Sequence, residues 1–297
     1  MKYIEKHPII MIFVGVFGIS LSSILVRYST APSAVTAAWR LLWTVALMTP
    51  VVFGRKNILQ EVTSLNLKTV LYSIVSGLFL AAHFAIWFES LRHTSVASST
   101  TIVCTEVIWV SIGFCLFLKG KIDGKSVAAI AVTLVGSALI AYTDSTSGEM
   151  NLYGDILALI AAIAVAVYTL IGRIVRTSVS TTAYTYIVYT ACAAVLVLLC
   201  AVQGYGFFGY GIRAIVVGFL LAVFSTILGH SIFSWCLKYF SPSFVSASKL
   251  CEPVAAAAMA AVLFGERISA MQLTGGAMIL GGVLYYSEME RKKSAQM

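Results

Sequence analysis

Residues 242–264 read PSFVSASKLCEPVAAAAMAAVLF, an apolar run long enough to cross a bilayer that still carries Lys249, Glu252 and Pro253 near its middle. Residues 96–118, VASSTTIVCTEVIWVSIGFCLFL, lie 146 positions earlier and place Glu106 opposite Glu252 in the alignment. A helix needs roughly 20 apolar residues to span the hydrocarbon. Outward from these two stretches the same kind of run recurs, at 8–28, 33–53, 67–90, 94–118, 122–142, 152–174, 180–203, 211–238, 242–264 and 268–287. The runs are too long and too evenly apolar for barrel strands, which alternate over about ten residues. The expectation is an all-α polytopic membrane protein of ten transmembrane helices.

Composition agrees. The 297 residues are 60% hydrophobic and 11% charged, with mean hydropathy +0.94. Soluble domains sit near 45–50% apolar and about 25% charged. The stretch Ile9 to Val26 is long and is not followed directly by a small-residue cleavage pattern, so it reads as a span rather than a cleaved leader. Six cysteines (Cys104, Cys115, Cys192, Cys200, Cys236, Cys251) fall inside runs without paired metal spacing. No cofactor or metal is expected.

The formal net charge of +8 would suggest nucleic acid in a soluble protein, but its distribution points to lipid. One side of the ten-span arrangement collects Lys2, Lys6, Arg55, Lys56, Lys68, Lys119, Lys121, Lys125, Arg173, Arg176, Lys238, Arg291, Lys292 and Lys293; the other holds Arg27, Arg92, Arg213 and Arg267. Basic loops stay in the cytoplasm, which puts both termini there and the protein in the inner (plasma) membrane. The basic C-terminus would rest on anionic lipid. The expected partners are the lipid bilayer and a small-molecule substrate, not nucleic acid; a homodimer is left open.

Sliding the chain on itself by 146 residues superposes Arg27 on Arg173, Leu91-Arg92 on Leu237-Lys238, Thr105-Glu106 on Cys251-Glu252, Lys121-Ile122 on Arg267-Ile268, and Gly136 on Gly282. The chain therefore divides into 1–146 and 147–297, five spans each. An odd number inverts the second copy, an arrangement that secondary transporters use to place one binding site near the midplane.

An ionisable side chain at the bilayer centre costs about 2.5–3.5 kcal/mol on insertion scales, so its default reading is functional. Glu106 and Glu252 both reach the midplane at about 1.5 Å per residue. Lys249 precedes Glu252 by three residues and would share its helix face, a pairing that could also be purely structural. Pro253 cannot donate to the carbonyl of residue 249, leaving that oxygen free for a ligand or a neighbouring side chain. His83 and His230 are candidates for proton handling. Arg40 would either bind a carboxylate or snorkel toward headgroups. Trp109, one turn from Glu106, would form an aromatic wall. Glu89 reads as an interface residue, and most other Trp and Tyr as interface-belt or lipid-facing groups. The hydroxyls Ser95, Ser98, Ser99, Thr101, Thr105, Ser243, Ser246 and Ser248 would coat a wet path or serve as interhelical glue. Gly275, Gly276, Gly281 and Gly282 read as close-packing positions.

Several stretches resemble the drug/metabolite transporter superfamily, EamA type, over essentially the whole chain: Leu25-Val26-Arg27-Tyr28-Ser29, Ala31-Pro32, Trp39-Arg40-Leu41, His83-Phe84, Trp87, Thr94-Ser95-Val96-Ala97, Gly229-His230, Trp235, Glu252-Pro253-Val254 and Phe264-Gly265-Glu266. The resemblance implies a basket of two inverted five-helix repeats with a central cavity lined partly by the fourth and ninth helices; Val107 departs from the family's pattern, which often has proline there, and so implies that the first repeat lacks the helix break of the second. It implies a secondary transporter rather than an enzyme: an exporter of small metabolites such as amino acids, by alternating access and with proton coupling. The alternatives are import of a nucleoside- or cation-like solute in the same fold, and a membrane-embedded lipid-modifying enzyme. The latter needs concentrated acidic or histidine motifs at a membrane face, whereas Asp123, Asp144 and Asp155 stand isolated.

Overall fold

The computed structural model describes residues 8–94, 96–145, 152–255, 258 and 269–295. Every regular element among them is helical. The first half comprises α1 (Pro8–Ser20), α2 (Ser22–Arg27), α3 (Ser33–Phe53), the short surface helix α4 (Lys56–Ser64), α5 (Leu67–His93), α6 (Val96–Cys104), α7 (Glu106–Phe117) and α8 (Gly124–Ser145). The second half comprises α9 (Leu152–Val175), α10 (Thr181–Val202) and α11 (Ile212–Leu220), which runs through a π-helical segment, Leu221–His230, into α12 (Ser231–Cys236). It closes with α13 (Pro242–Lys249), a helical piece at 252–255, and α14 (Ala270–Ala295).

Seven helices among the described residues are long and apolar enough to cross a membrane: Pro8–Arg27, Ser33–Phe53, Leu67–His93, Ser98–Phe117, Leu152–Val175, Thr181–Val202 and Ile212–Cys236. The sequence expectation was ten. Gly124–Ile140 is apolar but shorter. The ninth run passes into residues outside the described set, as do Lys2, Lys6, Ser95, Glu266 and Arg267. α14 is long, but Gln272, Thr274 and its glycines dilute its apolar character.

Large apolar side chains cover the outside: Phe13, Phe17, Leu71, Leu116, Phe117, Leu198 and Val202 are all exposed. A water-soluble surface does not carry so much contiguous apolar area. Lipid is the solvent this exterior fits.

Packing between the halves follows one symmetric plan. α5 lies along α9, and its counterpart contact joins the π segment to α1. α3 pairs with α10, and α8 with α14. The α8–α14 seam fixes the sense of that symmetry. A Cβ added at Gly136 would lie 2.7 Å from the carbonyl oxygen of Gly275, and one at Gly282 would lie 3.0 Å from that of Ala129. Gly282 is the repeat mate of Gly136, and Gly275 that of Ala129. The register thus pairs 129 with 282 and 136 with 275, so the two helices run antiparallel about a two-fold. Glycine lets the backbones approach this closely in an environment with no hydrophobic drive between helices.

Gly136→Ala and Gly275→Ala are therefore expected to lower thermal stability in detergent by about 1–3 kcal/mol, the usual penalty for overpacking. Gly281→Ala, where an added Cβ meets nothing within 4 Å, leaves the melting temperature unchanged.

Candidate functional site

Two helices break at the same repeat position. In the second half α13 stops at Lys249, Leu250 and Cys251 close tight turns onto Ala247 and Ser248, and helix resumes at Glu252. In the first half α6 stops at Cys104, Thr105 turns, and α7 begins at Glu106. The expectation that the first repeat lacks a break is corrected here. Proline is not required, because the Thr105 hydroxyl donates to the Ile102 carbonyl at 2.6 Å while the Thr105 amide takes the same acceptor. Hydroxyl back-bonding of this kind bends helices.

The breaks place charges where helix ends want them. Glu106 and Glu252 each open a helical segment, where the exposed amides favour a carboxylate. Lys249 ends α13, where free carbonyls favour a cation.

Lys249 Nζ donates to Glu106 Oε1 at 2.8 Å, with both residues buried, and sits 5.5 Å from the centre of the Phe233 ring. This corrects the expected Lys249–Glu252 pairing. The i, i+3 reading assumed a continuous helix, and the turn at Leu250–Cys251 removes that premise. The repeat symmetry explains what happens to Glu252. The mate of Lys249 is Val103, so the mirror-image bridge has no cation. Glu252 Oε1 is buried without a hydrogen-bond partner among the described residues.

Around the bridge lies a polar cluster drawn from both halves. Arg40 is fully buried, so it does not snorkel. Its Nε donates to Thr226 Oγ1 at 2.7 Å and its Nη1 to Ser22 Oγ at 3.2 Å, while the guanidinium carbon lies 4.0 Å from the centre of the Phe84 ring. Arg40 Nη2 is buried with no acceptor among the described residues. His83 donates from Nδ1 to the Ala161 carbonyl at 3.0 Å and stacks on Trp87. The His83 and His230 rings lie 6.3 Å apart across the interface between halves, with Tyr168 6.0 Å from His230. His230 Nδ1 has no partner among the described residues. Trp109 is half-buried, its indole N–H likewise unmet.

Sequence reasoning missed three contributors. The π segment carries Thr226 to Arg40 and ends on His230. Tyr168, Tyr184 and Tyr189 are buried rather than belt residues, their hydroxyls paired with Ser234, Ser76 and Ser231 at 2.7–3.0 Å. Asp155, read as isolated, accepts from Thr94 at 2.9 Å and Ser98 at 2.8 Å and ties α9 to the start of α6. A serine or tyrosine hydroxyl in a helical run carries no sequence mark of its partner. Glu89 stays outside the cluster, paired with His93 at 3.0 Å on a partly exposed face.

The model of the EamA-like transporter family matches this chain twice, at residues 7–142 and 152–287. An uncharacterized transporter of Clostridium kluyveri is 25% identical over 209 residues, covering 68% of this chain and 67% of its own length. The uncharacterized transporter YxxF of Bacillus subtilis is 25% identical over 224 residues, covering 73% and 69%. A solved crystal structure superposes with a TM-score of 0.77 at 16% identity, over 97% of this chain and 98% of that one; this likeness speaks to the fold.

Removing one partner of a buried ion pair leaves an unmet charge and typically costs about 3–5 kcal/mol. Glu106→Gln and Lys249→Met should each destabilise the detergent-solubilised protein on that scale. The double variant should lose clearly less than the sum, which a double-mutant cycle of melting temperatures reads directly.

Proposed function

We propose, from the premise that the chain belongs to the EamA-like transporter family, that it is a secondary active transporter which exports a small charged metabolite such as an amino acid in exchange for protons. The reading takes the ten-span, inverted arrangement with cytoplasmic termini and lets the two repeats rock about a midplane site. Export is the direction adopted from the family resemblance; import of a cationic solute is the competing direction in the same fold.

One observation carries it: a buried carboxylate oxygen of Glu252 with no partner among the described residues, beside a satisfied Glu106–Lys249 bridge. An unmet buried carboxylate is expensive, and two things relieve it. A proton makes it a neutral acid, or a cationic group of the substrate pairs with it. These occupy one place, so they exclude each other, and mutual exclusion at one group is the physical basis of exchange. Arg40 Nη2 and His230 Nδ1, unmet in the same cluster, supply polar groups for the opposite end of a substrate. Glu106 and Lys249 join the repeats, so whatever alters their bridge acts on the contact between the moving halves.

Proteoliposomes loaded with a radiolabelled mixture of zwitterionic amino acids, and assayed with and without an imposed pH gradient, test the proposal. Glu252→Gln is expected to abolish the response to the gradient while leaving counterflow exchange measurable. Glu106→Gln is expected to reduce both by about tenfold or more, since it disturbs the site and the repeat contact together. Undiminished gradient-driven flux with both glutamates replaced would remove them from the mechanism.

A further inference from the structure

The two ends of the molecule are built from repeat-equivalent residues, yet they are in different states. At the basic, cytoplasmic end Arg173 closes the gap between the ends of α9 and α12. Its Nη1 donates to the carbonyl of Leu237, and lies 3.3 Å from that of Phe240. Arg176 adds a bond from Nε to the Ser234 carbonyl at 3.1 Å. These carbonyls belong to the last turns of a helix and the bend beyond it, where no amide of the same helix can reach them. A guanidinium, with several donors in one plane, suits two such acceptors at once.

The repeat mates at the opposite end are Arg27 for Arg173, Leu91 for Leu237 and Thr94 for Phe240. If the ends were equivalent, Arg27 would bond the carbonyls at the end of α5. It does not. The Arg27 side chain is exposed and makes no hydrogen bond or ion pair among the described residues. Between Arg27 and Leu91 lies instead an open pocket of about 430 Å³, lined also by Ser33, Arg92 and Tyr210. The place where the symmetric contact belongs is a cavity. Its wall holds two guanidinium groups and no carboxylate.

We propose that Arg27 and Arg173 are exchanging latches: Arg173 seals the cytoplasmic end in the state described here, and in the alternate state Arg173 releases while Arg27 closes the outer pocket onto the carbonyls at the end of α5. The proposal rests on the alternating-access reading above and refines its moving bodies to two packed groups drawn from both repeats, α5 with α9 and α1 with the π segment and α12. Arg173 on α9 and Arg27 at the end of α2 thus each bridge the two bodies and hold one end shut. Neither arginine touches the Glu106–Lys249 site; both are positioning residues that set which end is closed. A latch of charge-assisted bonds is enough to move a two-state population by about tenfold.

The test uses a cysteine reporter at each end of the full-length chain: Thr30→Cys, exposed on the wall of the outer pocket, and Leu237→Cys, buried under the closed cytoplasmic latch. Each is labelled in oriented proteoliposomes by a membrane-impermeant maleimide, with the chain lacking the added cysteine as blank. Arg173→Ala removes the latch that is closed here, so labelling at Thr30→Cys should fall about tenfold and labelling at Leu237→Cys should rise. Arg27→Ala removes the latch of the other state, so the two reporters should move the opposite way. Arg173→Lys and Arg27→Lys keep the charge but lose the planar fork, and should give smaller shifts in the same directions; they carry the test if an alanine variant does not fold. Reporters that stay put in all four variants, or that move alike for Arg27 and Arg173, overturn the latch and leave the access reading standing. A cytoplasmic reporter that opens while the outer one is unchanged shows ends that are not coupled, which overturns alternating access itself.

Discussion

Hydrocarbon offers no hydrogen-bond partner, and that constraint orders everything polar in this protein. A charge inside the membrane-spanning region must meet its complement on another helix or be left at a cost of several kcal/mol. Lys249 and Glu106 obey it across the boundary between the two halves, so the ion pair fixes the fourth helix of one repeat against the fourth helix of the other. Arg40 obeys it by reaching α2 and the π segment at once. His83 uses a backbone carbonyl of α9, and three tyrosines use serines on neighbouring helices. Each of these bonds is modest alone; each also costs most when broken, because water is absent to replace it. The polar cluster is therefore what makes the relative placement of the helices specific, where apolar packing against lipid-like neighbours would tolerate sliding.

Symmetry and its violations carry different information. Where the repeats agree, as in the antiparallel glycine seam of α8 and α14 or the paired breaks before Glu106 and Glu252, the agreement builds the scaffold. Where they disagree, the molecule gains something a symmetric dimer of repeats could not have. Lys249 against Val103 gives one satisfied bridge and one unmatched carboxyl instead of two identical bridges. Two bridges would lock the centre; none would leave two unpaired acids in low dielectric. One of each leaves a single group whose ionic state depends on what else is present.

The pattern of apolar runs and the 146-residue repeat were legible in the sequence, because each is a property of composition along one chain. What was not legible depends on partners from elsewhere. The i, i+3 spacing of Lys249 and Glu252 suggested a pair on one helix face, and it failed because two turn residues intervene where proline was read as the sole breaker. Thr105 breaks its helix through a hydroxyl that looks like any other threonine in an apolar run. Tyr168, Tyr184 and Tyr189 depart from the general reading of tyrosines as belt or lipid-facing groups; their burial follows from serines 42 to 108 positions away in sequence, since a tyrosine goes inside when its hydroxyl finds a partner. Ten runs were visible, and among the described residues seven helices are long and apolar enough to cross a membrane; α14, whose own sequence is less apolar, is docked on α8 through Gly275 and Gly282.

The orphaned carboxyl of Glu252 then has a consequence for energetics that the scaffold alone does not. A conformation that leaves it unmet lies higher in free energy than one in which a proton or a cation meets it, by an amount comparable to the insertion cost of a charge, about 2.5–3.5 kcal/mol. That difference is of the size needed to shift a two-state population by about two orders of magnitude, at about 1.4 kcal/mol per factor of ten. An occupant that meets the carboxyl better in one arrangement of the halves than in the other must bias that equilibrium, since a ligand shifts states only through its differential affinity for them. On the proposed transport reading, a glutamate set against valine in the opposing repeat links what is bound at the site to how the two halves sit, without any further device there.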